Sequence, residues 1–206
     1  MPKLFMIKIG GRPKGRLIEQ HEMFFGVGER VSDFIEAINM HWPEVKNKWH
    51  LDAYRSVTLV DNHRVQWQPV SEIANTHEDT AALKLFFINL GGYLPGEFEE
   101  YHHKLLIVAH SQADAIKQAK RSMFYQQYSF NDKHTPFNAT SHIDDKQQVD
   151  IDEIYNVNDL LTAGRLSITP VAASNTADES IQEDKVSIGY LSLKKLRKLD
   201  EVGQRP

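Results

Sequence analysis

The sequence that decides the fold is Leu4-Phe5-Met6-Ile7-Lys8-Ile9-Gly10-Gly11, because it returns 81 residues later as Leu85-Phe86-Phe87-Ile88-Asn89-Leu90-Gly91-Gly92. Across residues 4–27 and 85–108, 9 of the 24 aligned positions are identical, whereas ordinary composition gives about one or two. The match resumes after an extra 11 residues in the second copy, where His142-Ile143-Asp144 aligns with His50-Leu51-Asp52. A repeat of this length exceeds the roughly 20–50 residues of a solenoid unit. The duplication therefore predicts two copies of one small domain, related by a pseudo-two-fold axis.

Each copy has the pattern strand, glycine turn, strand, helix, strand. An apolar run ended by Gly10-Gly11 is typical of a buried strand, and Arg12-Pro13-Lys14-Gly15 is a turn sequence. Apolar residues at helical spacing follow, and we expect Ser32 to cap that helix and Pro43 to end it. The stripe consists of Phe34, Ile35, Ile38 and Trp42.

Two further local signals complete the pattern. In the second copy, Ser111 and Asp114 resemble a capping box, followed by an apolar stripe of Ile116, Ala119 and Met123. In the first copy, Asp61-Asn62 lies between two apolar runs and predicts a hairpin.

These patterns predict an α+β fold of two tandem ββαβ-type repeats, followed by a C-terminal β-hairpin and a short helix. We expect repeat 1 at residues 1–70, a linker at 71–82, repeat 2 at 83–160 and a C-terminal segment at 161–206. Within that segment, the two hairpin strands enclose residues 172–185, whose composition is typical of a mobile loop. Open sheet edges in such units also predict pairing into a homodimer.

Composition narrows the class of protein. With 206 residues and 41% hydrophobic residues, the chain can form a real core and is not disordered throughout. A formal net charge of −4 argues against a nucleic-acid or membrane-surface partner. The absence of cysteine excludes disulfides, thiolate metal sites and cysteine nucleophiles. No stretch is long and apolar enough for a signal peptide or a membrane span, so we expect a cytoplasmic protein.

Two histidine–carboxylate sets are the main candidates for chemistry. Glu19-x-His21 and His50-x-Asp52 recur as Glu100-x-His102 and His142-x-Asp144. On a strand, residues i and i+2 point to the same face, so each pair can present two polar groups together. If the pairs meet, they could bind a ligand, hold a divalent metal through His21, His50 and Asp52, or act as an acid–base pair. The alternative is a structural role, in which these side chains satisfy backbone groups at strand ends.

The first glycine turn is a second candidate. Gly10, Gly11 and Arg12 begin a segment with three cations, in which backbone N–H groups could converge on an anion. The second copy has Tyr93 in place of Arg12 and keeps only the glycines. What both copies share is thus a backbone requirement, either a positive φ or a close approach.

The combination Gly10-Gly11-Arg12, Gly15 and Ile18-Glu19-Gln20-His21-Glu22, followed by His50-Leu51-Asp52, resembles a bacterial family known only as domain of unknown function 1543. The resemblance spans about residues 4–155 and implies one or two copies per chain. The second copy departs from the pattern at Tyr93, Glu99 and His103. The resemblance supports the architecture and implies no activity.

Two functions follow from these observations. The favoured one is a non-enzymatic module that binds a small molecule or a protein in the cleft between the repeats, without a cofactor. The alternative is a metal-dependent hydrolase or isomerase that uses Glu19, His21, His50 and Asp52.

Overall fold

The computed structural model describes residues 2–72, 82–130, 139–143, 154–171 and 184–201. Its strands are β1 (Lys3–Gly11), β2 (Gln20–Gly28), β3 (His50–Val57), β4 (Leu59–Val60), β5 (His63–Pro69), β6 (Lys84–Tyr93), β7 (Glu100–Ala109), β8 (His142–Ile143), β9 (Ile154–Asn156), β10 (Gly164–Pro170) and β11 (Val186–Ser192). Its α-helices are α1 (Ile35–His41), α2 (Gln112–Ala119), α3 (Met123–Gln127) and α4 (Leu193–Glu201). All strand pairs are antiparallel. The predicted α+β class is confirmed.

The chain divides into two compact units. The first unit joins residues 1–70 to residues 161–206, and the second unit comprises residues 71–160. Most of the predicted linker and of the predicted mobile loop, residues 73–81 and 172–183, lies outside the described residues. The pseudo-two-fold relation and the homodimer stay predictions.

A four-stranded sheet in the order β11-β3-β1-β2 forms the centre of the first unit. Side chains alternate between the faces of a strand, and β1 directs Phe5, Ile7 and Ile9 into one core. Helices α1 and α4 close this core with Ile38, Leu193 and Leu196. One face of the sheet is therefore covered by helices, and the opposite face carries Lys8 and Gly10.

A second sheet of the first unit has the order β10-β5-β4. The turn between β4 and β5 has positive φ at both Asp61 (49°) and Asn62 (59°), which is the type I′ geometry that two-residue hairpins favour. The predicted hairpin is confirmed.

The predicted C-terminal β-hairpin is wrong. Strand β10 pairs with β5, and β11 pairs with β3 in the other sheet. Each strand thus extends a sheet that the N-terminal residues had begun, and the terminal helix α4 then packs into the same core. An apolar run identifies a strand but leaves its partner open, which is why the sequence pattern favoured the nearer pairing.

Two local expectations also need correction. Gly10 and Gly11 belong to β1, which ends at Gly11, so the turn begins only after them. Ser32 lies inside a short 3-10 helix, and Asp33 instead accepts hydrogen bonds from the backbone N–H groups of Glu29 and Arg30. Pro43 does follow the end of α1, as predicted.

The second unit is built on β6, which pairs with β7 on one side and with both β8 and β9 on the other. Ser111 caps α2 as predicted, since its Oγ accepts the N–H of Asp114 at 3.1 Å. Met123 is exposed and begins the separate helix α3, so the predicted stripe ends at Ala119.

None of the helices in the described part of the chain is long and apolar enough to cross a membrane. The cytoplasmic location stays a prediction.

Candidate functional site

Four polar side chains of the first unit converge on the sheet face opposite α1 and α4. Gly10 of β1 lies directly across from His21 of β2 and from His50 of β3. Because paired residues share a face, the two imidazoles flank Gly10 on the same side. Glu19 precedes β2 and Asp52 follows His50 by two residues. We call Glu19, His21, His50 and Asp52 the histidine–carboxylate cluster.

Three distances define the histidine–carboxylate cluster. The Nε2 of His50 lies 3.0 Å from Oε1 of Glu19 and 3.3 Å from Oδ1 of Asp52. The Nε2 of His21 lies 3.2 Å from Oδ2 of Asp52. The carboxylate of Asp52 thus bridges the two imidazoles, and Glu19 joins the cluster through His50.

A β-bulge in β3 lies at Asp52. In the pairing of β1 with β3, Lys8 lies across from Ala53 while the next residue, Ile9, lies across from Leu51. Asp52 is therefore the extra residue of β3. The predicted alternation within His50-x-Asp52 already places both side chains on one face, and the bulge adds Asp52 to the strand beside the cluster.

Gly10 provides the space for the histidine–carboxylate cluster. A Cβ atom at this position would lie 2.4 Å from Nε2 of His50 and 3.0 Å from Oδ2 of Asp52. Gly10 is therefore required by the close approach of His50 and Asp52, which is one of the two predicted reasons for a glycine, and not by a positive φ. Gly11 serves the other face, where its Cβ would meet Val45 at 3.0 Å. In the turn that follows, Gly15 has the positive φ, at 86°.

The remaining candidate of the glycine turn does not join the histidine–carboxylate cluster. Arg12 comes directly after β1, and among the described residues it makes no ion pair with Glu19 or Asp52. The cluster therefore presents carboxylates and imidazoles, without a cation to receive an anion.

Tyr190 is a site residue that the sequence patterns missed. Its ring lies 4.4 Å from the His50 ring, centroid to centroid, with 38° between the planes. A second bulge places the ring there. Ile188 lies across from Ala53 and Leu191 from Leu51, so Gly189 and Tyr190 together lie opposite the single residue Asp52. Gly189 has a φ of 128°. A glycine inside a strand pattern is a known sign of a bulge, and it was the one available signal.

The second unit repeats part of this arrangement. Gly91 lies across from His102 and His142, as Gly10 does from His21 and His50. The Nε2 of His102 lies 3.9 Å from Oε2 of Glu100, whose Oε1 accepts the hydroxyl of Tyr93 at 2.8 Å. The side chain of His142 and all of Asp144 lie outside the described residues.

No group of three or more histidine, aspartate or glutamate side chains in the described ranges could hold a metal ion. The three metal candidates His21, His50 and Asp52 do meet, but as imidazole–carboxylate pairs.

Two side chains of the second unit have shifted pKa values. A hydrogen bond to the Glu97 carboxylate raises the pKa of the exposed Tyr101, with smaller contributions from burial and nearby charges. Burial lowers the pKa of His103, and the charge of Lys104 lowers it further. The His103 ring stacks on Phe124 at 5.4 Å.

The shifted His103 predicts a pH dependence for the second unit. In the unfolded chain, His103 is protonated near its ordinary pKa of 6.5. In the folded state, its pKa is lower. The second unit therefore loses stability as the pH drops below 6.5. Between pH 7.5 and 5.5, we expect the melting temperature of the wild type to fall by about 1–2 °C more than that of His103→Gln. The difference is small because His103 is largely solvated. Near-UV circular dichroism of the tyrosines measures the transition. Equal losses in both proteins would contradict the assignment.

Comparison with known proteins gives a family match for part of the chain and no activity. Residues 16–67 match the family described as Domain of Unknown Function (DUF1543). That stretch contains Glu19, His21, His50 and Asp52, but neither Gly10 nor Tyr190. The resemblance inferred from the residues is thus supported for the first copy, and the tandem arrangement stays a prediction.

A solved structure shares the fold. The chain is similar to protein Il1583 from Idiomarina loihiensis, with a TM-score of 0.54 and 20% sequence identity over 94% of this chain and 99% of that one. No curated protein matches the chain significantly. The similarity describes a fold and leaves the function to the site.

Proposed function

We propose that the first unit is a non-enzymatic binding module for a small organic cation, which the histidine–carboxylate cluster receives. The observation that carries this proposal is Asp52. Its Oδ2 is buried and makes no hydrogen bond among the described residues, although His21 Nε2 lies within ion-pair distance. A buried polar atom without a hydrogen bond has a cost that a bound donor would remove.

Charge favours a cation over other ligands. Among the described residues, Glu19 and Asp52 pair with imidazoles, and no lysine or arginine lies at ion-pair distance from either carboxylate. Ammonium and guanidinium groups are donors only, and they bind carboxylates through charge-assisted hydrogen bonds.

The histidine–carboxylate cluster contains two largely buried side chains and two more exposed ones. The side chains of His50 and Asp52 are 10% and 22% exposed, whereas those of Glu19 and His21 are 43% and 44% exposed. The inner pair is shielded, so its charge is screened less by water. The outer pair remains accessible to a ligand from solvent.

We also infer that the chain contains two copies of one domain. Two observations support the inference: Gly10 and Gly91 each lie across from two histidines, and Ser56 lies across from Phe5 as Asn156 does from Phe86. The second register makes Val157, which is fully buried, the counterpart of Val57. The site proposed here belongs to the first copy alone, and the cleft between copies stays a prediction.

Asp52→Asn is expected to weaken binding of the probe agmatine by about 10- to 150-fold, because charge-assisted hydrogen bonds contribute about 1.5–3 kcal/mol. Calorimetric titration gives the affinity, and ¹⁵N NMR locates the perturbed amides. The matched control is Glu22→Gln, which removes the same charge from an exposed side chain of β2 and should change the affinity less than 2-fold.

Four outcomes would overturn the proposal. Agmatine could fail to saturate the protein, or its binding could perturb residues far from Glu19–His21 and His50–Asp52. Equal weakening by Glu22→Gln would show attraction to the overall charge. Stoichiometric Zn²⁺ binding that is lost in Asp52→Asn, together with no agmatine binding, would replace the proposal with a metal site.

A further inference from the structure

We propose that Tyr190 makes the first-unit site select a planar guanidinium over an ammonium group, an inference that rests on the proposed function. The ligand class is then an arginine-like molecule or side chain. Three features support this role: the exposed position of the Tyr190 ring, the backbone that holds the ring there, and the chemistry of Glu19 and Tyr190, which both contact His50.

The ring of Tyr190 is exposed to an extent that a packing role does not explain. Tyr190 is 71% exposed even though it contacts the His50 ring. A tyrosine that served only to cover His50 would bury most of its own surface. Most of the Tyr190 ring is instead accessible beside the histidine–carboxylate cluster.

The backbone around Tyr190 is built to hold the ring in place. The bulge at Gly189 and Tyr190 keeps Leu191 across from Leu51, on the face of the sheet that packs against the core. The φ of 128° at Gly189 is a conformation that other residues rarely adopt. Bulges that redirect one side chain in this way are over-represented beside functional sites.

The carboxylate of Glu19 and the ring of Tyr190 both contact His50, one at Nε2 and the other at the ring. A guanidinium can bind a carboxylate through two parallel N–H groups and can also stack its flat face on an aromatic ring. An ammonium is a compact point charge that cannot stack. A carboxylate and an aromatic ring that both lie beside His50 therefore match the chemistry of a guanidinium.

Two probes of equal chain length, n-butylguanidine and n-butylamine, test the selectivity. We expect the wild-type protein to prefer n-butylguanidine. Tyr190→Ala should weaken n-butylguanidine binding by about 2- to 5-fold, the size of a cation–π contact at an exposed site, and n-butylamine binding by less. Tyr190→Phe keeps the ring and should restore the preference.

Ile188→Ala is the matched control, since Ile188 is an exposed apolar side chain of the same strand. Its preference should equal that of the wild type. If neither probe binds the wild-type protein, the proposed function itself is wrong. If both bind and Tyr190→Ala leaves their affinity ratio unchanged, only the role of Tyr190 is overturned.

Discussion

Gly10→Ala is expected to lower the free energy of unfolding of the first unit by about 1–3 kcal/mol, the usual cost of an extra methyl group in a closely packed position. The new Cβ would lie 2.4 Å from Nε2 of His50, so the imidazole must leave its place. Because His50 connects Glu19 to Asp52, we also expect agmatine binding to be lost.

Tryptophan fluorescence in a urea titration measures the effect on the first unit, since all three tryptophans, Trp42, Trp49 and Trp67, belong to it. The double variant Gly10→Ala/His50→Ala tests the cause. Removing the imidazole removes the clash, so the double variant should be more stable than Gly10→Ala alone, a non-additivity typical of residues in contact.

Gly15→Ala is the control for loss of a glycine as such. Its φ of 86° makes alanine unfavourable there, but nothing lies within 4 Å of the new Cβ. It should cost about 1–2 kcal/mol and leave agmatine binding unchanged. Additive costs for Gly10 and His50 would contradict the proposed close approach.

Local signals in the sequence predicted the parts of the fold that local chemistry determines. Asp61 and Asn62 accept positive φ, and they form the predicted turn. Ser111 offers its hydroxyl to the first turn of α2, and it caps that helix. Each of these structures is decided within about four residues, so the residue types alone specify it.

Strand partners could not be predicted in the same way. The run Val186–Ser192 was recognisable as a strand, but its pairing with β3 joins residues more than 130 positions apart. Asp184 holds the start of this strand through Arg55 and through the backbone N–H and hydroxyl of Thr58. A single acidic residue within a polar segment gives no sign of such partners, because only the folded chain brings them together.

The sequence predicted which residues form the candidate site, but it did not predict how the strands bring them together. Glu19, His21, His50 and Asp52 stood out because the second copy repeats them. Their convergence depends on the pairing of β2 and β3 with β1 around Gly10, and the position of the Tyr190 ring depends on a bulge at Gly189. Bulges change the register by one residue, and a periodic reading of a strand cannot locate them.

Leu196→Ala is expected to destabilise the first unit by about 2–5 kcal/mol, the usual cost of truncating a fully buried leucine. Leu196 is fully buried in the same core as Ile7 and Ile38, although it lies in the C-terminal helix α4. The prediction treats α4 as part of the core that supports the site, since α4 directly follows the strand that carries Tyr190.

Lys195→Ala is the matched control, because it truncates an exposed side chain of the same helix and should change the free energy of unfolding by less than about 0.5 kcal/mol. Both variants are compared with the wild type in urea, again by tryptophan fluorescence. If Leu196→Ala were no less stable than Lys195→Ala, α4 would be an appendage, and Tyr190 would lack the support that its fixed position on His50 requires. A large loss in Leu196→Ala, accompanied by weaker n-butylguanidine binding under native conditions, would instead connect the C-terminal core to the site through β11.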